Sequence, residues 1–195
     1  MYTVIGATKT RTFRVLWALE ELGLDYEHIS CAPRSEQALL YNPLGKIPAL
    51  VDADSIVTDS TAIITYLADK HDGLTATSGT VPRAHQDAMT MWVIDEMDAL
   101  LWAHSKHTRV LPEQQRVAEV GPAVQLEFAQ SLEILVERLG DKPFLMGDRL
   151  TIPDIIATHC IGWSMIAGFP LVPLSLKAYS KRMRSRPAYK AAASA

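Results

Sequence analysis

The stretch "NPLGKIPALVDADSIVTDSTAI" (42–63) decides the fold. "IPALVD" reads as a strand, "ADS" as a tight turn and "IVTD" as the returning strand, so 47–58 is a hairpin. A proline at the first residue of a strand, Pro48, is tolerated only at an edge or in a special turn. If the Ile47–Pro48 bond is cis, the backbone of Ile47 turns outward. It then offers its N–H and C=O to an extended peptide, as an added strand would. "DS" (59–60) follows at a helix start, where unpaired amides suit a carboxylate. Asp59 adds a negative charge that suits an ammonium group. Singly these are a common turn and a common cap. Side by side they describe a site for a small peptide with a free amino-acid end.

Outward from the hairpin, "DSTAIITYLADKHDG" (59–73) is an amphipathic helix with Ile63, Ile64 and Leu67 at one-turn spacing. Asp59 or Ser60 caps it and Gly73 follows its end. Upstream, "YTVIG" (2–6) is a short β-rich run. "TFRVLWALEELG" (12–23) is a helix with Phe13, Leu16, Leu19 and Leu22 about three apart. "DYEHISC" (25–31) is a second strand, and "SEQALLYNPLG" (35–45) a short irregular helix and turn. The order is βαβαββα.

Residues 75–82 are small and polar with Gly and Pro, and read as a linker. Beyond them the strand signal vanishes. Residues 83–107 are helical, with Trp92, Met97 and Leu101 on a broad apolar face. From 113 to 139, Val117, Val124, Phe128, Leu132 and Leu139 form a helical stripe. "LTIPDI" (150–155) combines a cap at Thr151, Asp154 three positions on and Pro153 in the first turn, with Leu150 and Ile155 as a staple. The helix after it, 152–167, is apolar on nearly all sides and should be central. A helix at about 174–185 leads to a basic, alanine-rich tail. The chain divides into an α/β domain (1–74), the linker (75–82) and an all-α domain (83–195).

Composition narrows the functions. The 195 residues are 48% hydrophobic with net charge −3 and pI near 6.1. That balance gives no electrostatic reason to bind nucleic acid or an acidic membrane. Cys31 and Cys160 stand far apart in no metal-ligand spacing, and no metal cluster is expected. Without a signal-peptide pattern or a membrane span, the expectation is a cytoplasmic protein.

The ordered run "LEELGLDYE", "NPLGKIPALVD", "TDSTAIITYLADKH" and "FLMGDRLTIPDI" resembles the cytosolic glutathione transferase family over nearly the whole chain. The resemblance implies a thioredoxin-like first domain, a helical second domain and a homodimer. It also implies glutathione as co-substrate, with no metal. Carried over residue by residue, Ile47, before Pro48, would hold the cysteinyl part through its backbone. Asp59 and Ser60 would hold the γ-glutamyl end, and Lys46 would reach the glycyl carboxylate. Asp154 and Thr151 match the family's capping box and serve folding.

The shared chemistry is activation of a thiol. A free thiol, with a pKa of about 8.5, is mostly protonated at neutral pH. A hydroxyl donating to the sulfur, a helix N-terminus and a nearby cation all favour the thiolate. The family places the donor in the first strand-to-helix turn, usually as Tyr, Ser or Cys. Here that turn is "ATKTRT" (7–12). Its lack of cysteine argues against disulfide exchange. Some bacterial and fungal members read Ser-Arg-x-x-Arg-Val-Leu-Trp at this place, and "TRTFRVLW" (10–17) puts Thr10 in the serine position with Arg11 beside it. Thr8 is the second choice, and a backbone amide or no activator remain alternatives. Thr12 reads as a helix cap, and Arg14 as a solvated residue or one paired with an acid. The electrophile should lie near Trp102, His104, His107 and Arg109. The expected function is glutathione attack on a small hydrophobic electrophile. The alternative is a protein that binds glutathione or a hydrophobic ligand with little turnover.

Overall fold

The computed structural model describes residues 1–169 and 172–195. Pro170, which by sequence breaks the apolar stretch 155–174, lies outside the described residues. The described residues form two compact units, Met1–Arg83 with Arg184–Ala195, and Ala84–Met183.

The first unit carries a mixed four-stranded sheet of order β2-β1-β3-β4. The strands are β1 (Tyr2–Ile5), β2 (Tyr26–Ile29), β3 (Ala49–Asp52) and β4 (Ser55–Thr58). The β1–β2 pair is parallel; β1–β3 and β3–β4 are antiparallel. The parallel pair needs a crossover, supplied by helix α1 (Thr12–Leu22). Gly23 ends α1 in the left-handed conformation, its N–H bonded to the carbonyls of Glu20 and Leu19. Helix α2 (Glu36–Tyr41) precedes β3, and α3 (Ser60–Lys70) follows β4. Val4, Ile5, Leu16, Leu50, Ile63 and Leu67 close the core.

The sequence suggested one apolar face on α1. Instead every residue from Thr12 to Leu19 is buried, because α1 packs against β1, α3 and a further helix, α9 (Pro187–Ser194). The stretch read as the tail of the 83–195 domain is helical, and Arg184–Ala195 groups with Met1–Arg83. Pro187 suits a helix start. Tyr189 then meets Phe13 and Trp17 edge-on, with ring centres 4.8 and 5.0 Å apart. Arg186 forks onto Glu21 at 2.6 and 2.8 Å, and the Trp17 indole donates to the same carboxylate.

The expected linker is also held down. Arg83 pairs with both oxygens of Asp69 at 2.5 and 3.0 Å and donates to the Ala76 carbonyl.

Ala84–Met183 is helical. Helix α4 (Val81–Val93) continues through the π-helical segment Ile94–Asp98, α5 (Ala99–Ser105) and a second π-helical segment, Lys106–Val110. Helix α6 (Val120–Leu139) starts later than the apolar stripe suggested, two residues before Pro122. A proline belongs in a first turn, where its missing N–H is not needed. Helices α7 (Ile152–Ile166) and α8 (Leu174–Arg184) follow. Asp154 of α7 is fully buried and accepts from the Leu145 and Thr151 amides, the Thr151 hydroxyl and the Tyr179 hydroxyl at 2.7–2.9 Å. The box therefore ties together α7, α8 and the preceding loop as well as capping a helix.

Candidate active site

Register brings the candidate residues to one end of the sheet. Ile5 pairs with Ala49, and Ala49 pairs with Thr58. The chain leaving β1, the chain entering β3 and the chain leaving β4 therefore sit on adjacent strands at the same edge. These three segments carry the first turn, Ile47–Pro48 and Asp59–Ser60. Helices α1 and α3 both begin there, so two sets of positive helix ends face one region.

The first turn is built by Ala7 and Thr10. The Ala7 carbonyl accepts from the Thr10 amide at 3.0 Å and from the Thr10 hydroxyl at 2.7 Å. The Thr10 oxygen in turn accepts the Thr12 amide at 3.2 Å and lies 3.0 Å from the Thr12 hydroxyl. The side chain that binds the first amide of α1 is thus that of Thr10, whereas the sequence reading gave the cap to Thr12. Thr12 is itself buried. Thr8 donates to the Ala195 carbonyl at 3.3 Å. Arg11 is half-buried beside Thr10.

Gly6 joins this turn to the β3 loop. It has φ of +131°, and a Cβ there would sit 2.4 Å from the Thr12 Oγ1 and 2.8 Å from the Ile47 Cβ. Only glycine fits so close an approach. Its amide donates to Ile29 O at 3.0 Å. Its carbonyl, an acceptor only, takes a 2.7 Å bond from His28, which fixes the proton on Nε2.

The Ile47–Pro48 peptide is cis. Ile47 is half-buried, Pro48 buried and Lys46 exposed. Asn42 braces this loop from inside, its amide nitrogen donating to Lys46 O and its oxygen accepting from the Leu44 amide, both at 3.0 Å. At the head of α3, Asp59 has φ of +71°, and its Oδ1 accepts from the Thr61 and Ala62 amides at 2.8 and 3.2 Å. Ser60 is buried, and its oxygen accepts from Arg14 Nη1 at 3.4 Å. Arg14 is fully buried, contrary to the solvated reading. The structure thus gathers Thr10, Arg11, Ile47, Pro48, Asp59 and Ser60 at one sheet edge, with Thr8 in the same turn and Lys46 beside Ile47.

Sequence reasoning missed His28 and Asn42, and left Arg14 between a solvated residue and one paired with an acid. Asn42 carried a signal, since it opens "NPLG" and an Asn side chain readily bonds the backbone of its own turn. His28 carried none, because its bond to Gly6 O depends on the pairing of distant segments.

In the Ala84–Met183 unit, the His104 ring meets Phe169 edge-on at 4.9 Å. Burial first, then the charge of Arg109, pushes the His104 pKa down. His107 accepts the Val117 amide at 3.1 Å, and Arg109 donates to the Ser105 hydroxyl at 3.3 Å. Trp102 is partly exposed. Among the described residues no group of three or more His, Cys, Asp or Glu is placed to hold a metal. No described helix is long and apolar enough to cross a membrane.

The chain is similar to glutathione S-transferase F13 of Arabidopsis thaliana, with 27% identity over 199 residues, covering 90% of this chain and 87% of that protein. Among solved structures it resembles a glutathione transferase from Methylococcus capsulatus str. Bath, with a TM-score of 0.89 and 24% identity over 100% of this chain and 98% of the other. It also resembles the theta class enzyme of Xanthomonas axonopodis pv. citri, solved with glutathione bound, with a TM-score of 0.78 and 24% identity over 100% and 97% of the two chains. The model of the glutathione S-transferase N-terminal domain matches residues 12–75, and that of the C-terminal domain matches residues 84–187. With both domains matched in order over most of its length, the chain belongs to the glutathione S-transferase family.

Proposed function

We propose that this protein is a glutathione transferase of the bacterial-type first-turn pattern, acting in the cytoplasm as a homodimer on a small hydrophobic electrophile. The observation that supports it is the meeting of two helix N-termini, the Ile47–Pro48 loop and Asp59–Ser60 at one end of β1, β3 and β4. Glutathione lies along that edge. Ile47 pairs with its cysteinyl backbone, Asp59 and Ser60 take its γ-glutamyl ammonium and carboxylate, and Lys46 takes the glycyl carboxylate.

The sulfur then faces the first turn. The Thr10 hydrogen rotates from Ala7 O to the sulfur while its oxygen keeps the Thr12 amide. A neutral hydrogen bond is worth about 1 kcal/mol net, and a bond to an ion about twice that, so the exchange favours the thiolate. The Ala7 carbonyl keeps the Thr10 amide, so no buried acceptor is orphaned. Arg11 and the α1 N-terminus add positive potential. The thiolate attacks the electrophilic carbon, a carbon–sulfur bond forms, and the leaving group departs with its electron pair. The thiol proton has already gone to solvent.

One observation favours a second reading, glutathione binding with little turnover. The Thr10 hydroxyl proton is directed to Ala7 O, 2.7 Å away. Turnover of Thr10→Ala with a chlorinated aromatic substrate separates the two. A fall of about tenfold or more, with glutathione affinity kept, fits a hydroxyl donor worth about 1.4 kcal/mol in the transition state. Unchanged turnover removes Thr10 and passes the role to Thr8 or a backbone amide. No turnover in the native chain, with glutathione bound, establishes the second reading.

A further inference from the structure

We infer that His28 is a positioning residue for the first turn, holding it through the Gly6 carbonyl so that the Thr10 hydroxyl meets the glutathione sulfur; the inference rests on the glutathione reading above. His28 lies on β2 opposite Val4, and Tyr26 lies opposite Tyr2. Residues paired in this way share a face of the sheet, and Tyr2 and Val4 are buried on it. That pattern asks for an apolar residue at 28. The histidine there instead directs Nε2–H to Gly6 O at 2.7 Å.

The bond meets a need of the backbone. Space excludes a side chain at position 6, where a Cβ would sit 2.4 Å from Thr12 Oγ1 and 2.8 Å from Ile47 Cβ. Glycine is also the residue least able to hold its own backbone in one conformation. Bonds to β2 supply what it lacks. Its amide donates to Ile29 O at 3.0 Å, and its carbonyl accepts from His28. No backbone N–H among the described residues reaches that carbonyl, so the imidazole is its clamp.

The clamp reaches the thiol donor through the turn itself. The Gly6–Ala7 peptide is planar, so a fixed Gly6 O fixes the start of Ala7. The Ala7 carbonyl accepts from the Thr10 amide at 3.0 Å and from the Thr10 hydroxyl at 2.7 Å. When the hydroxyl hydrogen turns to the sulfur, the amide bond keeps Thr10 on Ala7. Thr10 Oγ1 lies 3.0 Å from Thr12 Oγ1, which rests against Gly6. The turn is thus a ring of contacts that begins and ends at Gly6, and His28 anchors it to the sheet. The Ile47 loop has its own brace, Asn42 on Lys46 O at 3.0 Å. Losing the His28 bond should therefore disturb the donor to the sulfur far more than the hold on the peptide.

The test is ultraviolet titration of thiolate absorbance for bound glutathione, with kcat and KM for glutathione, in the native chain, His28→Phe, His28→Gln, Thr10→Ala and His28→Phe/Thr10→Ala. His28→Phe keeps a ring and removes the donor. It should raise the thiol midpoint by about 0.7 unit and lower kcat about fivefold, the size of one net neutral hydrogen bond. KM for glutathione should stay within about twofold, since uniform binding is kept. His28→Gln, which restores an N–H of similar reach, should recover most of both effects. In the Thr10→Ala background His28→Phe should add little, because the two act as one unit. A loss of fold stability alone would leave the midpoint where it is in the folded, saturated chain. An unchanged midpoint in His28→Phe, a rise in KM with kcat kept, or additive shifts in the double variant would overturn the proposal. If His28→Phe does not fold, His28→Asn, whose amide nitrogen stops short of the Nε2 position, decides by the same readings. A native chain that fails to bind glutathione, or binds it with the free-thiol midpoint, sinks the parent reading and the positioning role with it. A lowered native midpoint that His28→Phe keeps sinks the positioning role alone.

Discussion

Gly6 is the tightest point of the site. A methyl group at position 6 would strike Thr12 Oγ1 at 2.4 Å and Ile47 Cβ at 2.8 Å, on a backbone with φ of +131°. Backbone strain of this kind costs about 1–3 kcal/mol, before the turn and the Ile47 loop are pushed apart. Gly6→Ala should therefore lose about that stability in urea unfolding and lose retention on immobilised glutathione. A second residue sets a pH dependence. The folded chain depresses the pKa of His104 below its ordinary 6.5, through burial and then Arg109. The folded state thus prefers the neutral ring. That contribution is complete above about 6.5 and is lost as pH falls toward the lower folded value. Unfolding free energy should decline between pH 7 and 5, and His104→Leu should flatten the decline. Neither residue was legible in this role from sequence. Gly6 read only as the end of a strand, and its neighbours Thr12 and Ile47 lie 6 and 41 positions away.

Among the elements, the helix caps and the hairpin were the most legible, because their signals are local. Asp59 and the Thr151–Asp154 box act over three or four residues, and the structure uses both. What the local signal understated was reach. A lost helix cap costs about 1 kcal/mol, yet Asp154 also holds the Leu145 amide and the Tyr179 hydroxyl. Asp154→Ala would leave those buried donors unpaired, so it should cost about 3 kcal/mol, whereas Thr151→Ala should cost about 1 kcal/mol; paired denaturation curves check both. Helix α9 was not legible. "PAYKAAAS" reads as a tail until Phe13 and Trp17 supply an aromatic surface for Tyr189 and Glu21 a partner for Arg186. Tyr189→Ala should cost about 2 kcal/mol, from lost burial and two ring contacts.

For the whole molecule, the order βαβαββα followed by helices was legible because hydrophobic period switches from alternation to helical spacing near residue 80. Which residues share an edge was not, since it follows from register, Ile5 with Ala49 and Ala49 with Thr58. The same register joins the first turn to Asp59–Ser60, and on it rests the proposal that this edge binds glutathione and lowers the pKa of its thiol. The direct measurement is ultraviolet titration of thiolate absorbance for glutathione bound at saturation. A free thiol of this kind ionises at about 8.5, and in the complex the midpoint should lie at least about one unit lower. Saturable binding with the free-solution midpoint would contradict it.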